Sequence, residues 1–468
     1  MRRTGAAWAL AATSLPMFMV AVDNLVVTNA LAVIAADLGT GQAGLQWVVN
    51  GYILAFAGLL LAGAALGDRI GRRTVFTWGI ALFTAASAAC ALSQSPGALI
   101  AARAVQGVGA AAILPVSLTL AVQAVAPERR ALAVGVWGGV NGLGIALGPP
   151  VGGLVTQGLD WHWIFWVNLP VGAVALPLAR WALRESRGPK RPLDVPGTLL
   201  VTGAVVAAVW AIVASAEGEG APVRSLAGLL AAGALLAAFA ARQRRTPHPL
   251  VPRHLYRVRA FMLSNALALA MYFGVFGSIF FLAQFLQGPM GYSPLEAGLR
   301  TLPWTAAPLV AVPLASALVD RVGGGLLQAA GCLMQAAALL WLAVVARPGV
   351  SYPAMAGAML LAGVGMGLVF AANPATVIGS VAEGEHNVAS GMNNTVREFG
   401  GALGIAVLTV VYTHGGLRSA VLTGAAVVFA GAFAGLAIRR TPAPPGSAPA
   451  PSPLRSAPSD RPEPSRPR

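Results

Sequence analysis

Charge is scarce in this chain. Of its 468 residues only 10% are Asp, Glu, Lys or Arg, and 57% are hydrophobic. A soluble globular domain carries about 25% charged residues. The deficit runs the whole length, which excludes a soluble domain with one anchor and indicates an all-α polytopic membrane protein. Lysine is reduced to Lys190, and arginine stands in its place. With the abundant Ala, Gly and Pro, this points to a GC-rich bacterial genome. Cysteine is limited to Cys90 and Cys332, both inside apolar segments. That excludes a disulfide framework, and the thiols read as small hydrophobes. The five histidines have no ligand spacing such as H-x-x-x-H, so no metal site is expected. No G-x-x-x-x-G-K-[ST] string, nucleophile–base constellation or sizeable soluble domain is present. These absences argue against an enzyme or a non-transporting sensor, and no cofactor is expected.

A net charge of +15 would suit nucleic acid, but the basic residues are confined to short loops between apolar spans. Fourteen spans can be drawn: 8–33, 44–67, 75–94, 97–121, 131–155, 163–183, 195–215, 225–241, 260–286, 297–318, 325–346, 351–372, 395–413 and 417–437. The eighth is the shortest. The N-terminus superficially fits a secretory signal. Its apolar pattern runs past any cleavage site, so it reads as an uncleaved first helix. An even span count puts both termini on one side. One set of loops holds Arg69, Arg72, Arg73, Arg129, Arg130, Arg242, Arg244 and Arg245 among many others; the opposite set holds only Arg224, Arg300, Arg347 and Arg418. The positive-inside rule then places both termini in the cytoplasm. The tail, 441–468, is rich in Pro, Ser and Arg and is expected to be disordered.

Two loops echo each other: "LGDRIGRR" from Leu66 and "LVDRVGGG" from Leu318. "GVGAAAILP" from Gly107 pairs with "GVGMGLVFAANP" from Gly363, and "NGLGIAL" from Asn141 with "GGALGIAV" from Gly400. The offsets are 252, 256 and about 259 residues. They indicate two six-helix halves and a division into 1–190, two additional helices with linkers over 191–255, a second bundle over 256–440, and the tail. Parallel halves of this kind mark a transporter that rocks around a central cavity.

Few polar groups fall inside the spans. Asp23 lies in "VDNLVVTNALAVI" with Asn29 nearby. A carboxylate in low dielectric is costly to ionise, so such a group can take and release a proton. An interfacial Asp or a helix-packing hydrogen bond are the alternatives. Arg103 lies in the fourth span, where it costs about 2.5–3.5 kcal/mol on insertion scales. It faces a cavity or polar partner, or snorkels to an interface. Gln106, at i+3, shares its face. Arg397 and Glu398 fall near the start of the thirteenth span, about 100° apart on a helix, so they do not pair with each other. Helix-terminal ion pairs with other helices are one reading; Glu398 is also the second proton-coupling candidate. Asn141, Gln284, Gln287, Asn373, Asn393 and Asn394 are candidates to line a cavity. The Phe-rich stretch Met271–Gln287 reads either as lipid-facing or packed helix, or as a drug pocket.

The strings resemble the major facilitator superfamily, and more narrowly its fourteen-helix drug–proton antiporter family, over almost everything but the tail. "AALGDRIGRR" (64–73) matches the loop G-x-L-a-D-r-x-G-r-[KR], with Ala64 for the leading Gly. In that family it is a cytoplasmic latch, which assigns that role to Asp68, Arg69, Gly71, Arg72 and Arg73. "LIAARAVQGVGAA" (99–111) matches l-x-x-x-R-x-x-q-G-x-g-a-a, and the resemblance implies a role for Arg103 in proton coupling. "GIALGPPVGG" (144–153) matches g-x-x-x-G-P-x-x-G-G, so Gly144, Gly148, Pro149, Gly152 and Gly153 carry the antiporter motif. "LDWHWIFWVNLPVG" (159–172) resembles the start of the sixth helix in this group, with His162 for the usual Arg. Trp161, Trp163 and Trp166 are expected to form an interfacial belt. Around Asp23 the match to l-D-x-T-i-V-n-v-A-L-P is partial, with Leu25 for Thr and Val33 for Pro. Arg397 and Glu398 fall in an "N-x-x-R-x-x-G-G" stretch, which the resemblance reads as a second-half counterpart of the latch.

The resemblance implies an exporter in the bacterial cytoplasmic membrane that exchanges amphipathic or cationic small molecules for protons by alternating access. The partners expected are lipid, protons and a small-molecule substrate; a monomer is compatible, and nucleic acid is not expected. A narrow-specificity exporter of one metabolite or antibiotic fits equally. Proton-coupled uptake fits less well, because of the 144–153 string.

Overall fold

A computed structural model describes residues 3–188, 194–215, 221–247, 249–382 and 385–438. The tail 441–468 and the proposed boundary at 190/191 lie outside the described residues. The described residues form helices and short turns only, without a β-strand. The first group is α1 (Arg3–Leu38), α2 (Gln42–Ile70), α3 (Arg72–Ala91), α4 (Pro96–Gln123), α5 (Arg130–Gly158), the short α6 (Trp163–Trp166) and α7 (Asn168–Ala182). A hairpin follows, α8 (Val195–Ala214) and α9 (Ala221–Arg245). The second group is α10 (Arg259–Gln287), the short α11 (Pro294–Arg300), α12 (Leu302–Val322), α13 (Gly324–Val345), α14 (Tyr352–Gly379) and α15 (His386–Leu436).

Among the described residues, thirteen stretches are long and apolar enough to cross a membrane. The last of them runs 49 residues, more than twice the length a span needs. It is broken at Gly416, where φ is +67° and the helix cannot continue. The two arms, 386–415 and 417–436, account for the thirteenth and fourteenth expected spans.

Local sequence fixes several ends. Ser95 accepts from the Ala98 N–H and is followed by Pro96, which needs no donor at the first turn. Ser293 and Glu296 form a reciprocal capping box at α11. The echoed loops adopt one shape. Gly71 (φ +131°) joins α2 to α3, and Gly323 (φ +98°) joins α12 to α13. Each donates to the carbonyl four residues back, Gly67 or Val319. A side chain is strained at either φ, which is why both echoed loops carry glycine at this turn.

The first group packs around α1, α2, α4 and α5; the second around α10, α13, α14 and α15. The groups meet along α2 and α15, and along α5 with α11 and α12. The α8–α9 hairpin leans on the first of these seams, and α8 touches both α2 and α15. We call the end bearing Arg72 and Arg245 the arginine-rich end and its opposite the far end.

Three expectations change. The eighth span reaches 221–245, because its arginines lie beyond the apolar stretch and continue the helix. The helix carrying Arg397 starts at His386, nine residues before the expected 395, so Arg397 and Glu398 lie about three turns inside it. Trp161 is not an interfacial side chain: it is 1% exposed and donates to Asp37 at 2.9 Å. Trp163 does face outward. The Phe-rich stretch 271–287 is packed, with Phe280 and Phe281 fully buried.

Candidate functional site

Five helices contribute to one buried polar cluster. Arg103 Nη1 on α4 lies 2.6 Å from Asp23 Oδ2 on α1, and the two side chains are 1% and 0% exposed. The guanidinium is therefore paired and does not snorkel to an interface. Arg103 also donates to Gln106 Oε1 at 2.7 Å and to the Val48 carbonyl on α2 at 3.3 Å. Asp23 Oδ1 accepts from Gln106 Nε2 at 2.8 Å and from Asn168 Nδ2, on α7, at 3.1 Å. Both amides also donate to Ser87 on α3. The ring of Tyr52 lies 4.3 Å from Arg103 Cζ, and Phe165 lies 5.8 Å away. A buried ion pair persists when its remaining donors and acceptors are also satisfied, and here both carboxylate oxygens are. Ser87 and Tyr52 were not expected from the sequence, which offers no signal for them. Asn168 stands in the motif of 159–172, and that was its only signal.

The second constellation joins the two groups at the far end. Asn29 Nδ2 donates to the Pro149 carbonyl at 2.7 Å, and Gln287 Nε2 donates to the Asn29 carbonyl at 3.1 Å. Gln42 donates to Gln284 at 2.8 Å. Gln157 accepts from the Leu295 N–H at 3.3 Å. All of these are neutral contacts. The 144–153 string makes them possible. A Cβ on Gly152 would lie 2.4 Å from the Val26 carbonyl of α1, and one on Gly153 would lie 2.2 Å from the Pro294 carbonyl. Gly144 and Gly148 likewise press on α1, against Ala21 and Leu25. At Gly152 and Gly153 these are backbone-to-backbone approaches that only glycine permits. Toward the arginine-rich end α5 is more exposed, at Leu132, Val134 and Val136, while Trp137 donates to Ser117 of α4 at 2.9 Å and Asn141 is half-buried.

At the arginine-rich end, the loop 68–73 is clamped by the segment following α7. Arg72 pairs with Asp68 at 2.6 Å, while Arg69 is exposed. Glu185 accepts from the backbone N–H of Arg73 (3.0 Å) and Thr74 (3.1 Å) and from the Thr74 hydroxyl (2.6 Å). The Arg72 N–H donates to the Ser186 carbonyl, and the Gly188 N–H to the Asp68 carbonyl. Partial burial raises the Glu185 carboxyl, but these hydrogen bonds outweigh it and hold it below the usual range. The clamp also occupies the donors at the start of α3. In the α5–α6 loop, His162 lies 2.5 Å from Asp160. There too, slight burial raises the carboxyl and the hydrogen bonds from His162 more than offset it.

In the second group, Asn373 donates to the Ser264 carbonyl at 2.8 Å and to Gln328 at 2.9 Å. Arg397 donates to the Tyr272 hydroxyl and to Asn394. Glu398 joins no hydrogen bond or ion pair among the described residues. Asp23, Arg103 and Gln106 thus come together, Asn29 and Gln284 join the far-end seam, and Asn373, Arg397 and Glu398 lie apart from both. No group of metal-ligating side chains is found among the described residues.

The family model described as Major Facilitator Superfamily matches residues 13–405 and 266–465. The chain is 33% identical over 405 residues to the tetracenomycin C resistance and export protein of Streptomyces glaucescens, covering 86% of this chain and 75% of that protein. It is 37% identical over 420 residues to the puromycin resistance protein pur8 of Streptomyces alboniger, covering 87% and 82%. It is 34% identical over 432 residues to the methylenomycin A resistance protein of Streptomyces coelicolor, covering 90% of each. In fold it is similar to a solved POT family transporter, with TM-score 0.71, 12% identity and coverage of 92% and 95%. The human organic anion transporter MFSD10 aligns with TM-score 0.61, 16% identity and coverage of 92% and 99%. The paired repeats, the glycine-rich α5 and these matches agree: the chain belongs to the Major Facilitator Superfamily, as a multi-pass membrane transporter of small molecules and not an enzyme.

Proposed function

We propose that the protein exports small amphipathic molecules from the cytoplasm in exchange for protons. The observation that carries this reading is the Asp23–Arg103 pair, ionised partners buried in an apolar bundle. The pair is neutral overall. A proton delivered to Asp23 removes its charge and leaves Arg103 with neutral partners only: Gln106, the Val48 carbonyl and two aromatic rings. An uncompensated buried charge is strongly unfavourable. A ligand shifts a two-state equilibrium by the difference in its affinity for the two states. The proton acts here as that ligand and favours the state in which Arg103 is better solvated. Its release restores the pair. Glu398 is the second acidic group of the scheme.

Movement is between bundles 1–190 and 256–440, with 191–255 as added helices, and the arginine-rich end and both termini face the cytoplasm. The 68–73 loop acts as the latch, and 144–153 as the seal at the far end. The names of relatives support export of antibiotics, and several name a single compound, which favours narrow specificity as a second reading.

The test is transport of ethidium and puromycin in proteoliposomes with an imposed proton gradient. Gradient-driven movement that stops on adding nigericin with a protonophore is expected, and Asp23→Asn should abolish it. Movement untouched by collapse of the gradient overturns the coupling. Full activity of Asp23→Asn would instead move the proton site to Glu398.

A further inference from the structure

Arg397 and Glu398 are consecutive residues of opposite charge deep in α15, and they point apart. Position 397 shares its face with Asn393, which donates to Asn265 on α10 at 3.2 Å, and with Gly400, which presses on Leu269. Position 398 shares its face with Thr395, which donates to the Ala57 carbonyl on α2 at 3.1 Å, and with Gly391, which presses on Leu61. One charge therefore faces its own group and the other faces the opposite group. Eleven or twelve residues into a helix is about 17 Å, near the middle of a ~30 Å hydrocarbon core.

Neither takes part in an ion pair among the described residues. Arg397 lies over the rings of Tyr272, at 4.6 Å, and Phe370, at 5.4 Å, with hydrogen bonds only to neutral oxygens. It borders a small cavity with Asn373 and Pro374. Glu398 is half-buried and without a donor. Unpaired charges at membrane depth mark binding sites, because a structural role would bring them into pairs. A carboxylate without a partner favours an ammonium group, and a guanidinium favours a carboxylate or other oxyanion.

We propose that Arg397 and Glu398 form a two-charge recognition site for zwitterionic small molecules. The amine is received at Glu398, and the acid is received at Arg397 beside Phe370 and Asn373. This inference deepens the exporter reading and rests on it.

The test is equilibrium binding to the full-length protein in nanodiscs, without a gradient. Three unrelated zwitterions serve as probes: ampicillin, norfloxacin and phenylalanylphenylalanine. Each is compared with its methyl ester and its N-acetyl derivative. At least one zwitterion should bind about tenfold more tightly than both of its singly charged forms. Glu398→Gln should erase the advantage over the N-acetyl form alone, and Arg397→Gln the advantage over the ester alone. Equal affinity of the three forms on every scaffold overturns the proposal, as does a preference that neither variant changes. The wild-type comparison stands by itself if a variant fails to fold. Gradient-driven ethidium transport, measured in parallel, separates the readings. If ethidium moves while zwitterions are not preferred, only this inference fails; if nothing moves, the exporter reading fails with it.

Discussion

Thr305 donates its hydroxyl to the carbonyl of Ala146 at 3.4 Å, and Ala146 stands four residues before Pro150. In an unbroken helix that carbonyl would accept from the N–H at position 150, which proline lacks. The second proline of the 144–153 string thus frees an acceptor on α5, and α12 of the other group supplies the donor. Both sit in a buried seam, so the bond links the backbone chemistry of the motif to contact between the groups.

Thr305→Val keeps the shape and removes the donor. It should lower thermal stability by about 1 kcal/mol, since a buried carbonyl then lacks a partner. Thr305→Ser should recover most of the loss. Unfolding of the detergent-purified protein, followed by tryptophan fluorescence, reads both.

Asp23→Asn should be less stable than the double variant Asp23→Asn/Arg103→Gln. Removing one partner of a buried pair costs about 3–5 kcal/mol, whereas replacing both leaves no stranded charge. A double-mutant cycle of unfolding midpoints checks the order. A double variant weaker than the single one would show that the pair is not what the cluster depends on.

Gly153→Ala should push α5 away from α11, because the added carbon meets backbone at 2.2 Å and no side chain can rotate aside. The strain is about 1–3 kcal/mol. Cysteines placed at Gln157 and Leu295 should cross-link readily in the parent and poorly in the glycine variant.

The clamp at Glu185 should depend on acidity. Its carboxyl titrates below the ordinary value of 4.5 in the folded protein. A depressed native value means that the stabilisation is present above the unfolded value and is lost as the pH falls through the native one. Its side chain is 29% exposed, so the effect is on the order of 1 kcal/mol. Glu185→Gln should be less stable than the parent at pH 7. The gap should close as the pH falls below about 4.

Hydropathy and the echoed loops made the helical architecture legible, and the glycine spacing of 144–153 marked one face of close packing in advance. The polar partners were harder to read. Ser87 and Tyr52 look like ordinary residues of apolar helices, and only the packing of α2, α3 and α4 brings them to Arg103. Gln42 lies at the first position of α2, outside the expected span, yet it closes the far-end seam with Gln284. The early start of α15 was hidden because "HNVASGMNNTVRE" is too polar for a hydropathy window. Asn393 there is taken up by Asn265 of the neighbouring α10, and Asn394 by Arg397 on its own helix. Glu185 lay in a loop that carried no signal, since its role is to cap a helix more than a hundred residues earlier.

The α8–α9 hairpin adds an asymmetry. Because α8 rests on α2 and α15 together, with a Cβ on Gly58 falling 2.4 Å from the Thr202 side chain, it binds one edge of the molecule as a spine binds pages. Opening along that edge would shear the hairpin from one leaf or the other. The opposite edge is closed by α5 against α11 and α12, and among the described residues no hairpin spans it. Under the proposed rocking motion, the spine would act as the hinge and the passage would widen on the other edge.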